Sequence, residues 1–364
     1  MSDKDLARND LETIKIIIGG GESQTELTGW VGFNIVRSID SAADAFSFSF
    51  PWEATDANKR RFRAFRTTLV RVLYGSEVIL TGTIEKLSPA WSAQRRELTI
   101  EGRSRCGYLV DVDALPVEMS GAFSALVEEI VPKTANASGA PVAAVSVTAR
   151  PNFDIDYLSI EPGEKVFTIL SKLAATQGLW SQPQPNGNLI FSKMALALPV
   201  TELLEDTHPV VAVSTAMDLT QRFHKYEVYN TAFGNLQEYA AVDNGVDVKR
   251  SSKHLTVEWD ADPVEAGAFA RSRGVIDGFT CTVNVVGWTV NGQVWRPGMI
   301  CTVIAPSAMI YKQEGRFKND LMVRRATMQL DETGGATTEL EFTFPQVYAG
   351  GQPSFPFPWS LPDE

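Results

Sequence analysis

Phe279-Thr280-Cys281-Thr282-Val283-Asn284-Val285 opens the stretch, residues 279–344, around which this chain is organised. Its apolar side chains fall at every second position, with Thr280, Thr282 and Asn284 between them, the period of a strand buried on one face. Val290-Asn291-Gly292 marks a turn, Trp295-Arg296-Pro297-Gly298 leads into a second strand from Met299 to Ala305, and a third is expected from Leu321 to Leu330. Asp331-Glu332-Thr333-Gly334-Gly335 supplies residues that accept turn geometry. It returns the chain into Thr338-Glu339-Leu340-Glu341-Phe342-Thr343-Phe344, where leucine and phenylalanine alternate with acids and threonine.

A degraded copy of these strands lies at residues 46–102. Phe46-Ser47-Phe48-Ser49-Phe50 stands where the strand from Phe279 stands, Leu69 to Tyr74 where Ile300 to Ala305 stands, and Leu98-Thr99-Ile100 where Leu340-Glu341-Phe342 stands. The order is kept, with one longer hairpin. Two similar β units in one chain is our reading; the alternative is the general likeness of any two antiparallel sheets.

A chain of 364 residues is long enough for two or three domains with separate cores. Hydrophobic residues at 44% and charged residues at 21% are ordinary for a globular protein, so no disordered or membrane class is expected. The net charge of −11 argues against a nucleic-acid-binding surface, since neutralising phosphates needs a basic patch. Cys106, Cys281 and Cys301 are too few for a disulfide framework and are expected as buried thiols, a chance bridge between Cys281 and Cys301 not being required. Met1 to Asp10 is charged and lacks an apolar core, so no secretory signal is expected, and no apolar run approaches the roughly 20 residues of a spanning helix.

The first unit, residues 1–105, is read as strands from Thr13 to Ile18, from Trp30 to Ser38, and from Leu69, Val78 and Glu97, with a helix over 56–65. That helix region carries Lys59, Arg60, Arg61, Arg63 and Arg66, a basic cluster read either as a contact for an acidic partner or neighbouring subunit or as a solvated face. Residues 106–205 are read as an α+β insert. Its helices run from Ser120 to Val131, ending before Pro132, and from Glu164 to Gln177, stopped by Gly178. Residues 206–352 form the second β unit, with a helix over 262–273 opened by Asp262-Pro263 and closed by Gly274. The boundary near residue 206 is open, because the strands between Val210 and Val242 suit either a barrel or a small subdomain. The tail, 353–364, interleaves proline with Phe355, Phe357 and Trp359, either an extended arm docked on a partner or a disordered end.

Catalytic signatures are sparse. Gly19-Gly20-Gly21 lies between strands and lacks the spacing of a phosphate-binding loop. His208, His224 and His254 share no metal-ligand spacing with each other or with the cysteines, so no cofactor or metal is expected. Paired carboxylates at Asp111/Asp113, Glu128-Glu129 and Asp154/Asp156 have the chemistry a glycan hydrolase needs, and are more simply an acidic surface. Glu161-Pro162-Gly163-Glu164-Lys165-Val166-Phe167 resembles the opening of a LysM peptidoglycan-binding module without the rest of it; the plain reading is a loop that caps an amphipathic helix.

Taken together, Gly278-Phe279 to Val283, Val286-Gly287-Trp288, Gly292, Trp295-Arg296-Pro297-Gly298, Leu321-Met322-Val323 and Thr337 to Leu340 resemble the baseplate hub proteins of Mu-like contractile-tailed bacteriophages. The run from Glu161 through Leu173-Ala174 and Gln177-Gly178-Leu179 to Asn186-Gly187-Asn188-Leu189 is similar to that family's central domain. The resemblance covers most of residues 30–345 and rests on structural glycines, tryptophans and alternating strands. It implies an α+β, mainly β, multidomain chain with two tube-like β-barrel domains and an α+β domain between them.

It further implies a non-enzymatic homotrimer whose six barrels form a ring in the virion tail baseplate, assembled in the host cytoplasm. Such a hub adapts the sixfold tail tube to a threefold spike and passes DNA only as non-specific cargo through an acidic bore. Partners are then the tail tube or adjoining baseplate proteins and a spike protein expected to be separate, because the chain ends soon after the second unit. The basic cluster would face a neighbouring subunit, and the aromatic tail the spike or another baseplate subunit. The runner-up is a protein that binds or cleaves peptidoglycan through the acidic central domain. A phage-tail-like bacteriocin shares the same features.

Overall fold

The computed structural model describes residues 14–19, 24–53, 55–63, 65–138, 144–148, 154–230, 237–246, 252–257, 262–313, 319–331 and 334–351. The first unit comprises β1 (Ile14–Ile18), β2 (Thr25–Leu27), β3 (Gly32–Ser38), β4 (Ala45–Pro51), α1 (Asp56–Arg61), β5 (Thr68–Tyr74), β6 (Glu77–Trp91) and β7 (Arg96–Ser104). A helical turn, α2 (Tyr108–Asp111), leads to β8 (Glu118–Ala122), α3 (Phe123–Ser138), β9 (Val145–Thr148), β10 (Asp154–Ser159), α4 (Val166–Thr176), β11 (Trp180–Pro183) and β12 (Leu189–Ser192). The remainder holds β13 (Thr201–Leu204), β14 (Val210–Met217), β15 (Lys225–Asn230), β16 (Gln237–Val242), β17 (Ser252–Val257), α5 (Pro263–Gly278), β18 (Phe279–Val286), β19 (Thr289–Val290), β20 (Gln293–Val294), β21 (Ile300–Ile304), β22 (Asp320–Asp331), β23 (Gly335–Thr343) and α6 (Pro345–Tyr348).

Alternation decides the faces. Phe46, Phe48 and Phe50 point into the first core with Ile14, Ile16, Val70, Val72 and Ile100. Phe279, Cys281, Val283 and Val285 point into the second with Leu340 and Phe342. The repeat extends to topology: hydrogen-bonded order is β3-β4-β7-β6-β5-β1 in the first unit and β14-β18-β23-β22-β21-β13 in the second. One difference is that β1 runs antiparallel to β5 whereas β13 runs parallel to β21.

The long strands of the two hairpins carry the same irregularity. In β6 the pairing jumps from Ile84–Gly102 to Lys86–Glu101, leaving Glu85 bulged; in β22 it jumps from Val323–Phe342 to Arg325–Glu341, leaving Arg324 bulged. A bulge bends the strand and sharpens its twist. The residue after each bulge makes a cross-strand ion pair, Lys86 to Glu101 at 3.0 Å and Arg325 to Glu341 at 2.9 Å. These markers match Phe46 with Cys281, two residues from the sequence alignment with Phe279. A slip of two keeps every side chain on its face, so periodicity alone does not resolve it.

The two units do not stand as separate barrels. Among the described residues thirteen strands form one sheet, in which β22 pairs with β21 at Ile300–Met322 to Thr302–Asp320 and then with β3 at Ser38–Arg325 to Phe33–Leu330. Among the described residues neither unit closes on itself. The physical reason is strand length: β22, at 12 residues, outruns the 5-residue β21 and offers its remaining edge to β3.

Between the units, α3 and α4 pack on small sheets around Phe123, Leu126, Ile130, Leu170, Leu173 and Phe191, with the Phe123 and Phe191 rings 5.9 Å apart. Helix α3 runs through Pro132 instead of ending before it. The hydrogen bond a proline removes belongs to the Glu128 carbonyl, four residues back on the exposed face, where water can replace it. Helix α5 likewise runs past Gly274, which is no stop signal. A Cβ at Gly274 would lie 2.1 Å from the Tyr226 Oη, and one at Gly278 2.5 Å from the Arg222 side chain. Both glycines let α5 lie close against β15 and the Arg222 loop.

Candidate assembly surface

Helix α1 is capped by Thr55, whose hydroxyl accepts from the Asn58 amide at 3.3 Å, and none of its residues is buried. Lys59, Arg60, Arg61, Arg63 and Arg66 are all exposed, gathered on one short segment as the sequence suggests. Lys59 reaches Asp56 at 3.3 Å, a fully solvated pair that contributes little. The segment is held by Phe62, whose ring sits 5.9 Å from Trp52 at the end of β4. Phe355, Phe357 and Trp359 lie outside the described residues.

The joint between the units shows how such edges are sealed. Trp288 of the second unit lies in the first unit's core, 4.9 Å from Phe33, and its indole N–H donates to the Gln329 carbonyl at 3.0 Å. Val294, Met328 and Ala336 join it there. Two further edges are bare among the described residues, beside those of β2 and β13: β14 pairs only with β18, and β6 beyond Ile84 pairs only with β7. Trp91 is 75% exposed, Val211 62% and Met217 46%, apolar groups that a lone chain leaves in water. For the β6 edge a signal was present in Pro89, since proline inside a strand belongs at an edge.

Beside the joint, Arg37 and Asp44 form a buried pair at 3.5 Å, and Asp44 also accepts from the Ser38 amide at 3.2 Å. Burial pushes the Asp44 carboxyl up to about 6, against the opposing pull of Arg37. They line a cleft of about 340 Å³ with Gln182, Met194 and Arg296. A second buried pair, Arg222 with Asp243 at 2.9 Å, anchors the loop before β15.

The paired acids serve as structural ties. Asp111 pairs with Arg103 and Asp113 with Lys165 at 2.6 Å, while Arg103 also takes the bulged Glu85 at 2.7 Å. Glu85, then burial and Asp111, set the balance that leaves the Arg103 guanidinium more basic than usual. Glu128 and Glu129 are exposed on α3, and the side chains of Asp154 and Asp156 lie outside the described residues. In the LysM-like segment Glu164 accepts from the Glu161 amide at 3.1 Å, which lowers its pKa and closes the turn before α4. Burial pushes the Cys106, Cys281 and Cys301 thiols up to about 12, so they are inert, and all three are free. No cluster of three metal-ligating side chains occurs among the described residues. No described helix is long and apolar enough to cross a membrane.

Residues 13–104 match the family described as the Mu phage baseplate assembly protein GpP-like N-terminal domain. Residues 106–193 match the second domain of the baseplate hub protein gp44-like family. The baseplate hub protein gp44 of Escherichia phage Mu is 23% identical over 337 residues, 86% of this chain and 84% of that protein. A tail protein from Neisseria meningitidis shares the fold at a TM-score of 0.73 and 20% identity, over 93% of this chain and 98% of its own. The 43 kDa tail protein of prophage MuSo2 from Shewanella oneidensis does so at 0.72 and 16%, over 92% and 99%. The fold is therefore that of phage tail proteins. The resemblance to the baseplate hub proteins of Mu-like contractile-tailed phages is thereby shown, and the chain is a structural component of the virion tail baseplate.

Proposed function

We propose that three copies of this chain close into a ring of six β units around a central channel. The ring adapts the sixfold tail tube on one side to a threefold spike, supplied by a partner protein, on the other. DNA passes through the channel as non-specific cargo during injection, and the hub carries out no catalysis. One observation carries this reading: two units of the same strand order are already joined edge to edge within one chain, β22 to β3, and the edges of β14 and of β6 beyond Ile84 are left unpaired among the described residues. A pair of edges that cannot meet within one chain is met by rotation of further copies, and heterologous contacts that close give a ring. The net charge of −11 suits a bore that must not hold phosphate.

Light scattering coupled to size exclusion across a concentration series tests the oligomer. The expected species is about 120 kDa, three times the 39.9 kDa chain, and ring-shaped in electron micrographs. A chain that stays monomeric at every concentration, alone and with its spike partner, overturns the reading.

A further inference from the structure

We propose that the two bare edges meet in a fixed register, β14 of one copy pairing antiparallel with residues 86–91 of β6 in the next, as β3 pairs with β22 inside the chain. This rests on the oligomeric hub reading and names the strands and residues through which it is built.

The register follows from the bulges. Each lies one residue before a cation that bridges to the neighbouring strand, so Lys86 corresponds to Arg325, and Leu87 to Ala326. Ile100, opposite Leu87, then corresponds to Leu340, opposite Ala326; Phe48 to Val283; and Phe33 to Val213. Within the chain Arg325 faces Ser38, Ala326 faces Arg37, Thr327 faces Val36 and Leu330 faces Phe33. Transferring these pairs sets Lys86 opposite Asp218, Leu87 opposite Met217, Ser88 opposite Ala216 and Trp91 opposite Val213.

The side chains suit that register. Lys86 meets an acid, and Leu87, partly packed on the first core, meets the exposed Met217. Trp91 meets Val213, which packs partly on the second core. Trp52 follows β4 about where Trp288 follows β18, so Trp52 with Phe62 is placed to seal the new joint as Trp288 seals the internal one. Cross-strand pairs of these kinds contribute individually little and collectively fix the register. Pro89 faces Thr215 and has no amide hydrogen, so one bond of the ladder is missing. The same residue keeps unrelated strands off this edge.

The Ile39 amide donates to the Arg324 carbonyl at 2.9 Å, which makes Ser38–Arg325 a non-hydrogen-bonded pair and, two residues on, Val36–Thr327 another. Its counterpart Ser88–Ala216 therefore has the close Cα approach that disulfides need. The test is the full-length double variant Ser88→Cys/Ala216→Cys under mild oxidation, run on a non-reducing gel beside each single variant and the out-of-register pair Ser88→Cys/Ala212→Cys. The native thiols are all buried and do not compete. Covalent species ending at three chains are expected from the in-register pair alone. If wild-type protein is oligomeric by light scattering and that pair does not cross-link, this register is wrong while the hub reading stands. Monomeric wild type with no cross-link overturns both, and equal cross-linking of the out-of-register pair overturns the register.

Discussion

The rings of Phe33 and Trp288 meet at a tilt of 56°, their centroids 4.9 Å apart, at the line where the two β units become one sheet. They lie 255 positions apart in the sequence (288 − 33). Their contact makes the first unit's core incomplete without the second. Trp288→Ala removes a fully buried indole and its bond to Gln329, and is expected to cost about 3–5 kcal/mol. Denaturation followed by probes in each unit should then separate into two midpoints; a single unshifted transition would show that the ladder alone couples the units.

Helix α5 offers a test of close packing. Gly274→Ala forces a methyl against the Tyr226 hydroxyl, with an expected loss of about 1–3 kcal/mol. Tyr226→Phe removes that oxygen together with its bond from the Phe223 amide. The double variant should recover part of the loss, giving a coupling energy in a double-mutant cycle of chemical denaturation. Additive effects would mean that Gly274 is required for another reason.

Asp44 sets a pH dependence. Its folded value of about 6 lies above its ordinary 3.8, so the folded state holds the proton more tightly than the unfolded chain does. The contribution of this group is fully present below about pH 4 and is lost as pH rises through 6, by about 3 kcal/mol in all. The stability difference between wild type and Asp44→Asn should therefore shift against wild type between pH 4 and 7. A difference that stays flat over that window would place the carboxyl in contact with water.

The basic cluster on α1 separates folding from assembly. Arg60→Glu/Arg61→Glu/Arg63→Glu alters only exposed side chains, so the monomer's unfolding midpoint should hold to within about 0.5 kcal/mol. Assembly by light scattering is expected to weaken and to become more sensitive to salt. Unchanged assembly would assign these residues to a solvated face.

Much of the fold was legible because strand burial leaves a period of two. Phe46-Ser47-Phe48-Ser49-Phe50 and Phe279 to Val285 declare their buried faces without any partner, and Gly178, at φ 65, closes α4 as its sequence announces. The same code misled where local signals carry two meanings. Gly274 reads as a stop and serves as a packing surface, and Pro132 reads as a terminus and is absorbed into α3. Of the surfaces proposed for assembly, the basic cluster was legible from composition and the β6 edge only through Pro89, whereas the bare edge of β14 carried no such signal.

Read without the fold, the sequence already shows which residues face inward and suggests two similar β units with an α+β insert between them. Those properties follow from local periodicity and residue chemistry, which each segment carries alone. The folded chain was needed to show that β22 turns from β21 to β3, that Trp288 completes the other unit's core, and which strand edges lack partners among the described residues. Strand pairing joins segments hundreds of residues apart through backbone groups that every sequence has in common, so register and edges are settled only when the chain is folded.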